Sequence, residues 1–478
     1  MSTTGPRRGP ALLAFAALLV AGVVADVAVH APQAAKAAPR PVMPTAGPAS
    51  ALSSTWYCPL ATADKAGQAS GTIVVSNPAR TRLSGTITLF TVQGKPVKVS
   101  VSVPALSRTS IREADHLQAP FVAAEVDLDG GLGVVEQVVS GSLGDSISAC
   151  SSMASTQWYF AEGNTSKDAV LLLSLFNPFP EDAIVDLSFT TDQGRAIPDA
   201  FQGLVVPGRG VIVVNIGDHV RRRDEVSTTV STRSGRVIAG KIQTFSGGGH
   251  KGIALVLGAP QLGRMWYFPD GFVTDGVTEK FHVYNPGSKE AQVQLSFALE
   301  QGAAEPFDIT VPAGNRYTLT ASGETRIPKG DAHAVTAEST NGVPVVIERT
   351  IDSLSPAPRQ GYTDLLGAQA AATDWVLAAG GTTETFDEWV VVLNTSGTTA
   401  HVDFGALANG QTLPIDGLQD TTVPAGQRRG FRIGDHIKRP DLPMTIHSTV
   451  PVVIERGMFR VGGLGMASAV GIPQRAGG

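Results

Sequence analysis

Short runs in which apolar and polar residues alternate recur along the whole chain, separated by turns that contain Gly, Pro or Asn. The runs AIVDLSF at residues 183–189 and GVIVVNI at residues 210–216 are two examples. Alternation with a period of two is typical of a strand that buries one face. The pattern therefore predicts an all-β protein, with roughly seven or eight short strands in every hundred residues.

The runs are grouped in a repeat that begins with an aromatic residue. After each start come an apolar strand that ends in Asn, a Val-Pro pair, a β-branched run and a strand led by Gly. A period near one hundred residues suits a domain and is too long for a propeller blade. We predict four tandem β-sandwiches, immunoglobulin-like or jelly-roll-like, at residues 51–153, 154–262, 263–371 and 372–478. The starts are Trp56, Trp158, Trp266 and Trp375, and the strand-ending residues are Asn77, Asn177, Asn285 and Asn394.

The first fifty residues differ from the rest in composition. Arg7 and Arg8 precede the uncharged run 11–25, and an Ala/Pro-rich tract follows up to residue 50. The basic pair followed by an apolar run predicts a signal-anchor or transmembrane helix at residues 1–30, with a linker at 31–50. By the positive-inside rule the rest of a single-pass chain lies outside the cell membrane. Cleavage near Ala37, which would release a secreted protein, is the alternative.

Charge and cysteine content narrow the classes of function further. The net charge is −5 with no basic stripe, which argues against nucleic acid as a partner. The 42% of apolar residues is enough for a core in each predicted domain. The two cysteines, Cys58 and Cys150, fall on the first and last strands of the first repeat. In an oxidising compartment we expect them to form a disulfide bond.

Several motifs carry a resemblance to a known family. The stretch WYFAEGNT at residues 158–165, the strand ending in Asn-Pro and the later VVIER strand at 345–349 resemble an uncharacterised family of actinobacterial exported proteins. The motifs are also similar to the WYFAEG repeats of larger bacterial surface proteins. The resemblance covers about residues 50–478 and implies an envelope location without an assigned activity. Because Cys58-Pro59-Leu60 and residues 376–379 depart from the motif, a role of Glu162 cannot be shared by all four repeats.

Candidate chemistry is sparse along the chain. Asp-His pairs recur in three repeats, but no other His or Cys keeps step with them, so we interpret them as turn residues and predict no metal site. The loop GGGHKG at 247–252 joins two predicted strands, which favours a hairpin over a nucleotide site. Asp387 and Glu388 precede a strand in a turn-like stretch, where solvated or locally paired carboxylates are expected. We predict no catalytic residue and no cofactor. The Asp-His pairs begin at Asp115, Asp218 and Asp435.

The aromatic and ionic residues of the repeat are more informative. If each starting Trp enters the core, the Tyr beside it must face the surface or a domain junction. We take Tyr159, Glu162, Tyr267 and Trp389 as candidate surface contacts. The pairs at 348–349 and 455–456 are Glu-Arg, and one member of each is expected to bridge to the adjoining domain as a packing and orientation element.

These features together predict a non-enzymatic, membrane-anchored extracytoplasmic protein of the cell envelope. Its expected role is that of a scaffold or interaction module, in which tandem domains on a Pro-rich stalk contact another envelope protein or a polysaccharide. The alternative function is a carbohydrate-binding protein that acts on cell-envelope polysaccharide, with exposed Tyr or Trp stacking on sugar rings. A diverged enzyme is the third and weakest hypothesis, because the sequence has none of the usual hydrolase motifs.

Overall fold

Antiparallel β-strands, joined by turns and short 3₁₀ helices, make up the computed structural model, which describes residues 43–300 and 302–474. The predicted all-β class is confirmed. The predicted anchor at residues 1–30 lies outside the described residues. Among the described residues, no helix has the length and apolar character needed to cross a membrane. We call residues 51–153, 154–262, 263–371 and 372–478 segments 1 to 4.

Segment 1 contains two four-stranded sheets, with the strand orders β1-β6-β3-β4 and β5-β2-β7-β8. Its 3₁₀ helix is Glu113–Asp115. The strands are β1 (Ser54–Ala61), β2 (Ser70–Asn77), β3 (Leu83–Thr91), β4 (Val97–Val103), β5 (Ser107–Arg112), β6 (Val122–Leu128), β7 (Val134–Gly141) and β8 (Gly144–Ala149).

Segment 2 repeats this order, with sheets β12-β11-β15-β9 and β14-β10-β16-β17, and with β13 added beside β11. Its 3₁₀ helices are Asp199–Phe201 and Ile216–Asp218. The strands are β9 (Gln157–Phe160), β10 (Ala169–Asn177), β11 (Ala183–Thr191), β12 (Gly194–Ala196), β13 (Leu204–Val206), β14 (Gly210–Asn215), β15 (Val226–Ser234), β16 (Ile238–Phe245) and β17 (Gly252–Leu257).

Segment 3 has the sheets β18-β23-β20-β21 and β22-β19-β24-β25. Its 3₁₀ helix is Ala321–Gly323. The strands are β18 (Met265–Phe272), β19 (Val277–Asn285), β20 (Ala291–Leu299), β21 (Phe307–Val311), β22 (Asn315–Thr320), β23 (Ala332–Ser339), β24 (Val346–Ser353) and β25 (Gly361–Leu366).

Segment 4 differs because β32 is a single strand of 17 residues that takes part in both layers, so its strands form one continuous sheet. Its 3₁₀ helix is Ile433–Asp435. The strands are β26 (Ala372–Leu377), β27 (Phe386–Asn394), β28 (Ala400–Ala408), β29 (Gln411–Pro414), β30 (Thr421–Val423), β31 (Arg428–Arg432), β32 (Met444–Arg460), β33 (Met466–Val470) and β34 (Ile472–Pro473).

The starting tryptophans are core residues, as predicted. None of the four side chains is more than 1% exposed. The indole Nε1 of Trp158 donates to the Val237 carbonyl at 2.8 Å, and that of Trp266 donates to the Val345 carbonyl at 3.2 Å. In Trp158 and Trp266 the apolar body is thus buried while the N–H keeps a partner, which removes the usual cost of burying indole, whereas Trp56 Nε1 has no partner among the described residues.

The Asn that ends the second strand of each segment binds three parts of that segment together. In segment 2, Asn177 Oδ1 accepts from the Phe179 N–H at 3.1 Å, which closes an Asx turn. Its Nδ2 donates to the carbonyls of Glu181 at 2.7 Å and Val206 at 3.2 Å. The other segments make the same set of bonds from Asn77, Asn285 and Asn394. The repeated Asn and the repeated Val-Pro pair are therefore two ends of one tether.

The disulfide bond between Cys58 and Cys150 is present, as predicted. It joins β1 to the residue that follows β8, with a Cα–Cα distance of 4.5 Å. The bond therefore links the first and last strands of segment 1 and closes a sequence separation of 92 residues.

The last hairpin strands of the four segments meet around a common centre. Strand β8 contacts β17, β17 contacts β25, β25 contacts β33, and β33 returns to β8. The segments therefore close into a ring. The Gly that leads each of these strands permits the approach, since a Cβ on Gly252 would lie 2.4 Å from the Tyr362 nitrogen and one on Gly361 would lie 3.0 Å from the Met466 nitrogen.

Candidate functional site

Buried ion pairs join consecutive segments at three of the four interfaces. Lys241 Nζ lies 2.7 Å from Glu348 Oε2, and Arg349 Nη2 lies 2.6 Å from Glu455 Oε1. The third pair, Arg456 with Glu136 at 3.1 Å, connects segment 4 back to segment 1. All of these side chains are at most 2% exposed. The basic residue of one segment thus always pairs with the Glu of the next one around the ring.

Both members of the predicted Glu-Arg pairs take part in interfaces. Glu348 contacts segment 2, while its neighbour Arg349 contacts segment 4. We expected one member of each pair to bridge, and the bridging itself is confirmed. The two residues reach opposite neighbours because adjacent residues of β24 point to opposite faces of the strand.

Lys241 and Arg349 stay protonated in these sites. Burial alone would lower the pKa of Lys241, but the carboxylates of Asp364 and Glu348 outweigh it and raise the pKa. The pKa of Arg349 is raised in the same way, because Glu455 and Glu279 outweigh the effect of burial. The interfaces therefore hold fixed positive charges that need buried carboxylate partners.

The WYFAEG-type motif supplies main-chain groups to these pairs. The backbone N–H of Glu162 donates to Glu348 Oε2 at 2.8 Å, and the backbone N–H of Asp270 donates to Glu455 Oε2 at 3.1 Å. At the corresponding position Ala379 donates its N–H to Glu136 Oε2 at 2.6 Å and accepts from Arg456 through its carbonyl. Since main-chain atoms make these bonds, the side chain at this position can be Glu, Asp or Ala.

Glu162 is buried and does not form the surface contact that we predicted. Its carboxylate lies 3.0 Å from His282 Nδ1 and 3.2 Å from Arg316 Nη2, both in segment 3. Burial alone would raise the pKa of Glu162, but His282, Arg316 and Lys241 lower it to about 2. The Glu of the motif is thus a second ionic contact between segments 2 and 3.

A second set of arginines reaches back to the motif of the preceding segment. Arg316 binds Glu225 at 2.7 Å as well as Glu162. Arg428 binds Asp270 at 2.8 Å, and Arg108 donates to the Gly380 carbonyl at 2.9 Å. These arginines occupy matching positions, each opposite the residue that precedes the tethering Asn. Three interfaces are therefore held from both sides.

Among the described residues, the interface between segments 1 and 2 has no such pair, because the matching positions hold Gln137 and Gly240. Pro59 fills the space, since a Cβ on Gly240 would lie 2.4 Å from the Pro59 Cγ. Around it lies an apolar cluster of residues from both segments, including Leu60, Leu143, Ile242 and Leu255. Residues 58–60, where the first repeat has Cys-Pro-Leu instead of the usual motif, therefore supply apolar contacts in place of the ionic ones.

The acidic pair Asp387-Glu388 lies within β27, which corrects the turn expected from the sequence. Asp387 is locally paired, with Arg432 at 2.7 Å and Trp389 Nε1 at 3.0 Å. Glu388 is fully buried and accepts from the Gly381 N–H at 2.9 Å. Burial raises the pKa of Glu388 to about 7, although Arg456 opposes the shift. Glu388 is therefore not a solvated carboxylate.

Trp389 lines a groove of about 520 Å³ between segments 3 and 4. Its floor is apolar and includes Phe459 and Met466. The Arg359 guanidinium lies 3.9 Å from the centroid of the Phe459 ring and 5.0 Å from that of Trp389. One aromatic face that a ligand would use is thus already occupied by a cation, and Trp389 is held further by Asp387.

Tyr159 lines a second cleft, of about 580 Å³, between segments 2 and 3. The phenol is half-buried, and burial raises its pKa. Tyr267 occupies the matching place in segment 3 and is also half-buried, packed against the core of segment 4. Both tyrosines thus lie at segment junctions, one of the two positions that strand alternation predicts for them.

The remaining motifs have structural positions. Asp115, Asp218 and Asp435 end 3₁₀ turns, and the His after each is exposed. The glycine-rich loop joins β16 to β17 as a hairpin, as predicted. Within residues 43–300 and 302–474, no group of three His, Cys, Asp or Glu side chains is arranged to hold a metal ion.

Comparisons with solved structures find weak likenesses. A Thermotoga maritima protein is 22% identical, with 22% of this chain and 94% of that chain covered and a TM-score of 0.21. The Anabaena sensory rhodopsin transducer is 21% identical over 18% of this chain and 94% of its own, with a TM-score of 0.16. A tetra-tandem repeat from the extending region of a large adhesion protein is 13% identical over 88% of this chain and all of its own, with a TM-score of 0.10. TM-scores this low carry no argument about function.

Sequence comparison gives one family. No curated protein matches the chain. Residues 118–346, which are less than half of the chain, match the model of a family described as a family of unknown function (DUF5719). The matched region begins in segment 1 and ends two residues before Glu348, so it includes Lys241 and the contacts of Glu162 with His282 and Arg316 but not the acid that pairs with Lys241. Over residues 118–346 the chain is therefore similar to a domain family of unknown function.

Proposed function

We propose that the protein is a non-enzymatic, membrane-anchored scaffold of the cell envelope, built from four tandem β-sandwiches that follow an N-terminal membrane helix at residues 1–30. The observation that carries the proposal is the closed ring of segments, in which Arg456 of segment 4 meets Glu136 of segment 1. A ring held in this way keeps surfaces from four domains at fixed positions, which is what a docking platform needs.

The chemistry of the interfaces supports this function. Buried ion pairs contribute little net stability compared with apolar packing, but a misplaced buried charge is costly. Three such pairs therefore favour one relative orientation of the segments over others. An enzyme would be expected to gather polar groups in one accessible cleft. The charged groups of these three ion pairs are instead spread over three interfaces and are almost fully buried.

The two ends of the described chain lie together. The Ala46 N–H donates to the Pro473 carbonyl at 3.0 Å, and Ala46 bridges to Gln474. Ala46, near the end of the predicted linker, therefore lies beside the last strand of segment 4. This arrangement suits a ring carried on one stalk, with the bulk of the chain on the outer side of the membrane.

Photo-crosslinking in the native cells tests the scaffold function. A photoreactive amino acid would replace Val205 or Tyr317, which are 54% and 42% exposed. We expect crosslinks to another extracytoplasmic component, and we expect Arg456→Gln to abolish them by opening the ring. The exposed substitution Asn315→Ala serves as a control that should leave them unchanged. Crosslinks that persist in the Arg456→Gln protein would show that the closed ring is not needed for docking.

Carbohydrate binding is the second candidate function, and one observation favours it. The cleft beside Tyr159 is open to solvent and lined largely by hydroxyl and amide side chains. Such groups match the hydrogen-bonding groups of a sugar, and the half-buried tyrosine ring supplies an aromatic edge. A ring that docks on envelope polysaccharide would combine both proposals.

A further inference from the structure

We infer that the cleft beside Tyr159 is a binding site for uncharged carbohydrate. This inference rests on carbohydrate binding, the second proposed function, and it names the site and the ligand class. The cleft lies on the outer face of the sheet formed by β9, β11 and β15, and its volume of about 580 Å³ is within the range of small-ligand sites.

Strand alternation places the lining groups on one face. Gln157 and Tyr159 are two apart on β9, and Thr229 and Ser231 are two apart on the neighbouring β15. Ser188 lies opposite Thr229 on β11. Because residues i and i+2 point to the same side of a sheet, these side chains form one continuous polar surface. A turn of segment 3 at residues 286–288 makes the wall of the cleft.

Hydrogen bonds hold part of this surface in place. Ser231 Oγ donates to Gln157 Oε1 at 2.9 Å, which fixes the side-chain amide. Thr229 Oγ1 and the Tyr284 hydroxyl lie 2.9 Å apart across the two segments. Ser188 Oγ and Gln157 Nε2 make no hydrogen bond to the described residues, so both are free to bond a ligand. A pre-ordered surface with free donors costs less entropy on binding.

The charge of the lining selects the ligand class. Arg195, at the exposed rim, is the one charged residue among the described residues that line the cleft. Carboxylate or phosphate ligands are usually held by arginine forks or several cations. Apolar ligands need a mostly apolar lining. Hydroxyl groups both donate and accept, so a neutral polyol is the ligand that fits this surface.

The matching faces of the neighbouring segments do not share this chemistry. In segment 1 the residue opposite Tyr57 is Glu125, and Asp127 follows it on the same face. In segment 3, Glu338 lies on the same face as Tyr267. In segment 4, Val376 takes the position of the tyrosine. Segment 2 also has an acid on this face, Asp186 opposite Ser231, but Asp186 is paired with Arg233 at 2.6 Å and neither residue lines the cleft. The cleft beside Tyr159 therefore has a tyrosine and no carboxylate in its lining.

Ser188→Trp tests the site, because the indole would fill the cleft without removing a hydrogen bond. Ser296→Trp is the matched control. Ser296 on β20 lies opposite Thr336 on β23, just as Ser188 on β11 lies opposite Thr229 on β15. The full chain, in a detergent without a sugar headgroup, would be titrated with neutral oligosaccharides from dextran, mannan, galactan and arabinan. Hyaluronate and heparin fragments are the anionic probes. Thermal melting of both variants checks their folding, and Gln157→Leu replaces Ser188→Trp if that variant melts early.

We expect at least one neutral oligosaccharide to bind, with affinity reduced about tenfold or more, that is by at least 1.4 kcal/mol, in Ser188→Trp and unchanged in Ser296→Trp. Binding that is equal in the two variants would overturn this site and leave carbohydrate binding itself standing. Binding of the anionic fragments as tight as that of the neutral ones would overturn the ligand class. No binding by any neutral probe would overturn both the site and the second proposed function.

Discussion

Arg456 closes the ring, and replacing it by Gln is the most direct test of what holds the segments together. The guanidinium lies 3.1 Å from Glu136 Oε1 and also donates to the Ala379 carbonyl at 2.6 Å. Gln137 already occupies the matching position of segment 1, so a Gln side chain is compatible with this strand position. In Arg456→Gln, Glu136 keeps its backbone partner Ala379 but loses its counter-charge.

The magnitude follows from the burial of both groups. Two opposite charges 3.1 Å apart attract each other by about 5 kcal/mol at an effective dielectric constant of 20. Much of this attraction only offsets the cost of removing both charges from water. Removing one partner of a fully buried pair leaves the other uncompensated, which costs about 3–5 kcal/mol. The double variant Arg456→Gln with Glu136→Gln should recover about 2 kcal/mol or more of that loss.

Urea unfolding of the wild type, both single variants and the double variant gives the coupling energy directly. Small-angle scattering reports the ring, because a compact chain of this size has a radius of gyration of about 23 Å and four domains in a row would be nearly twice as large. We expect Arg456→Gln to have a lower free energy of unfolding and a larger radius of gyration than the wild type. Both changes should be smaller in the double variant. A loss below about 1 kcal/mol, with strictly additive single effects, would refute the view that this pair holds segments 4 and 1 together.

Four further predictions concern stability. Replacing Cys58 and Cys150 together by Ala should cost about 4–5 kcal/mol in urea unfolding, because a separation of 92 residues is no longer closed; an unchanged midpoint would contradict this. Burial raises the pKa of Glu113 to about 8, although a hydrogen bond from Gln137 opposes the shift. Between pH 4.5 and 8 the folded state therefore keeps a proton that the unfolded state releases, and the stability of the protein should fall as the pH rises through this range. Glu113→Gln should remove that fall and stabilise the protein by up to about 5 kcal/mol at pH 8, as seen in melting curves at several pH values. The pKa of Glu162 is lowered to about 2, so the stability that its ionised carboxylate contributes, up to about 3 kcal/mol, is complete above pH 4.5 and is lost as the pH falls towards 2. Between pH 4.5 and 2, pepsin should therefore cleave between segments 2 and 3 before it cleaves between segments 1 and 2. Asn177→Ala leaves buried carbonyls without a donor and should cost about 2–4 kcal/mol in urea, whereas the exposed Asn315→Ala should cost less than 1 kcal/mol.

Local rules were enough to predict most of each segment from its sequence. The alternation of apolar and polar residues predicts the strands. The Asx turn of Asn177 is also predictable, because it depends on a residue only two positions away. Burial of the tryptophans and the pairing of the two cysteines followed from their place in the repeat. One strand was not foreseen: β32 runs unbroken through Pro451, where the other segments have a turn between two strands.

Contacts between segments were less predictable, because they join residues that are far apart in the sequence. We predicted Glu162 to be a surface contact, whereas its partner Arg316 lies 154 positions away in the sequence. The available signal was the repeated Glu-Arg pair, which indicated a bridge but not that its two members contact opposite neighbours. Ring closure had no local signal at all. The glycines that lead β17 and β25 permit close approach, but a glycine does not specify which strand approaches it.

The one apolar interface explains why the motif can degenerate without loss of the ring. Where Lys241 meets Glu348, the interface needs a base, an acid and a main-chain N–H in register, and each depends on the others. Between segments 1 and 2 the base and the acid are both absent, because Gln137 and Gly240 occupy their positions. Pro59 fills the space beside Gly240, so neither charge is left without a partner. A half-changed interface would leave a buried charge unpaired, which is costly, whereas an interface changed as a set is close to neutral in energy. Sequence variation at these interfaces is therefore expected to occur in sets that span two segments, and a lone change at any one of these positions should be the exception.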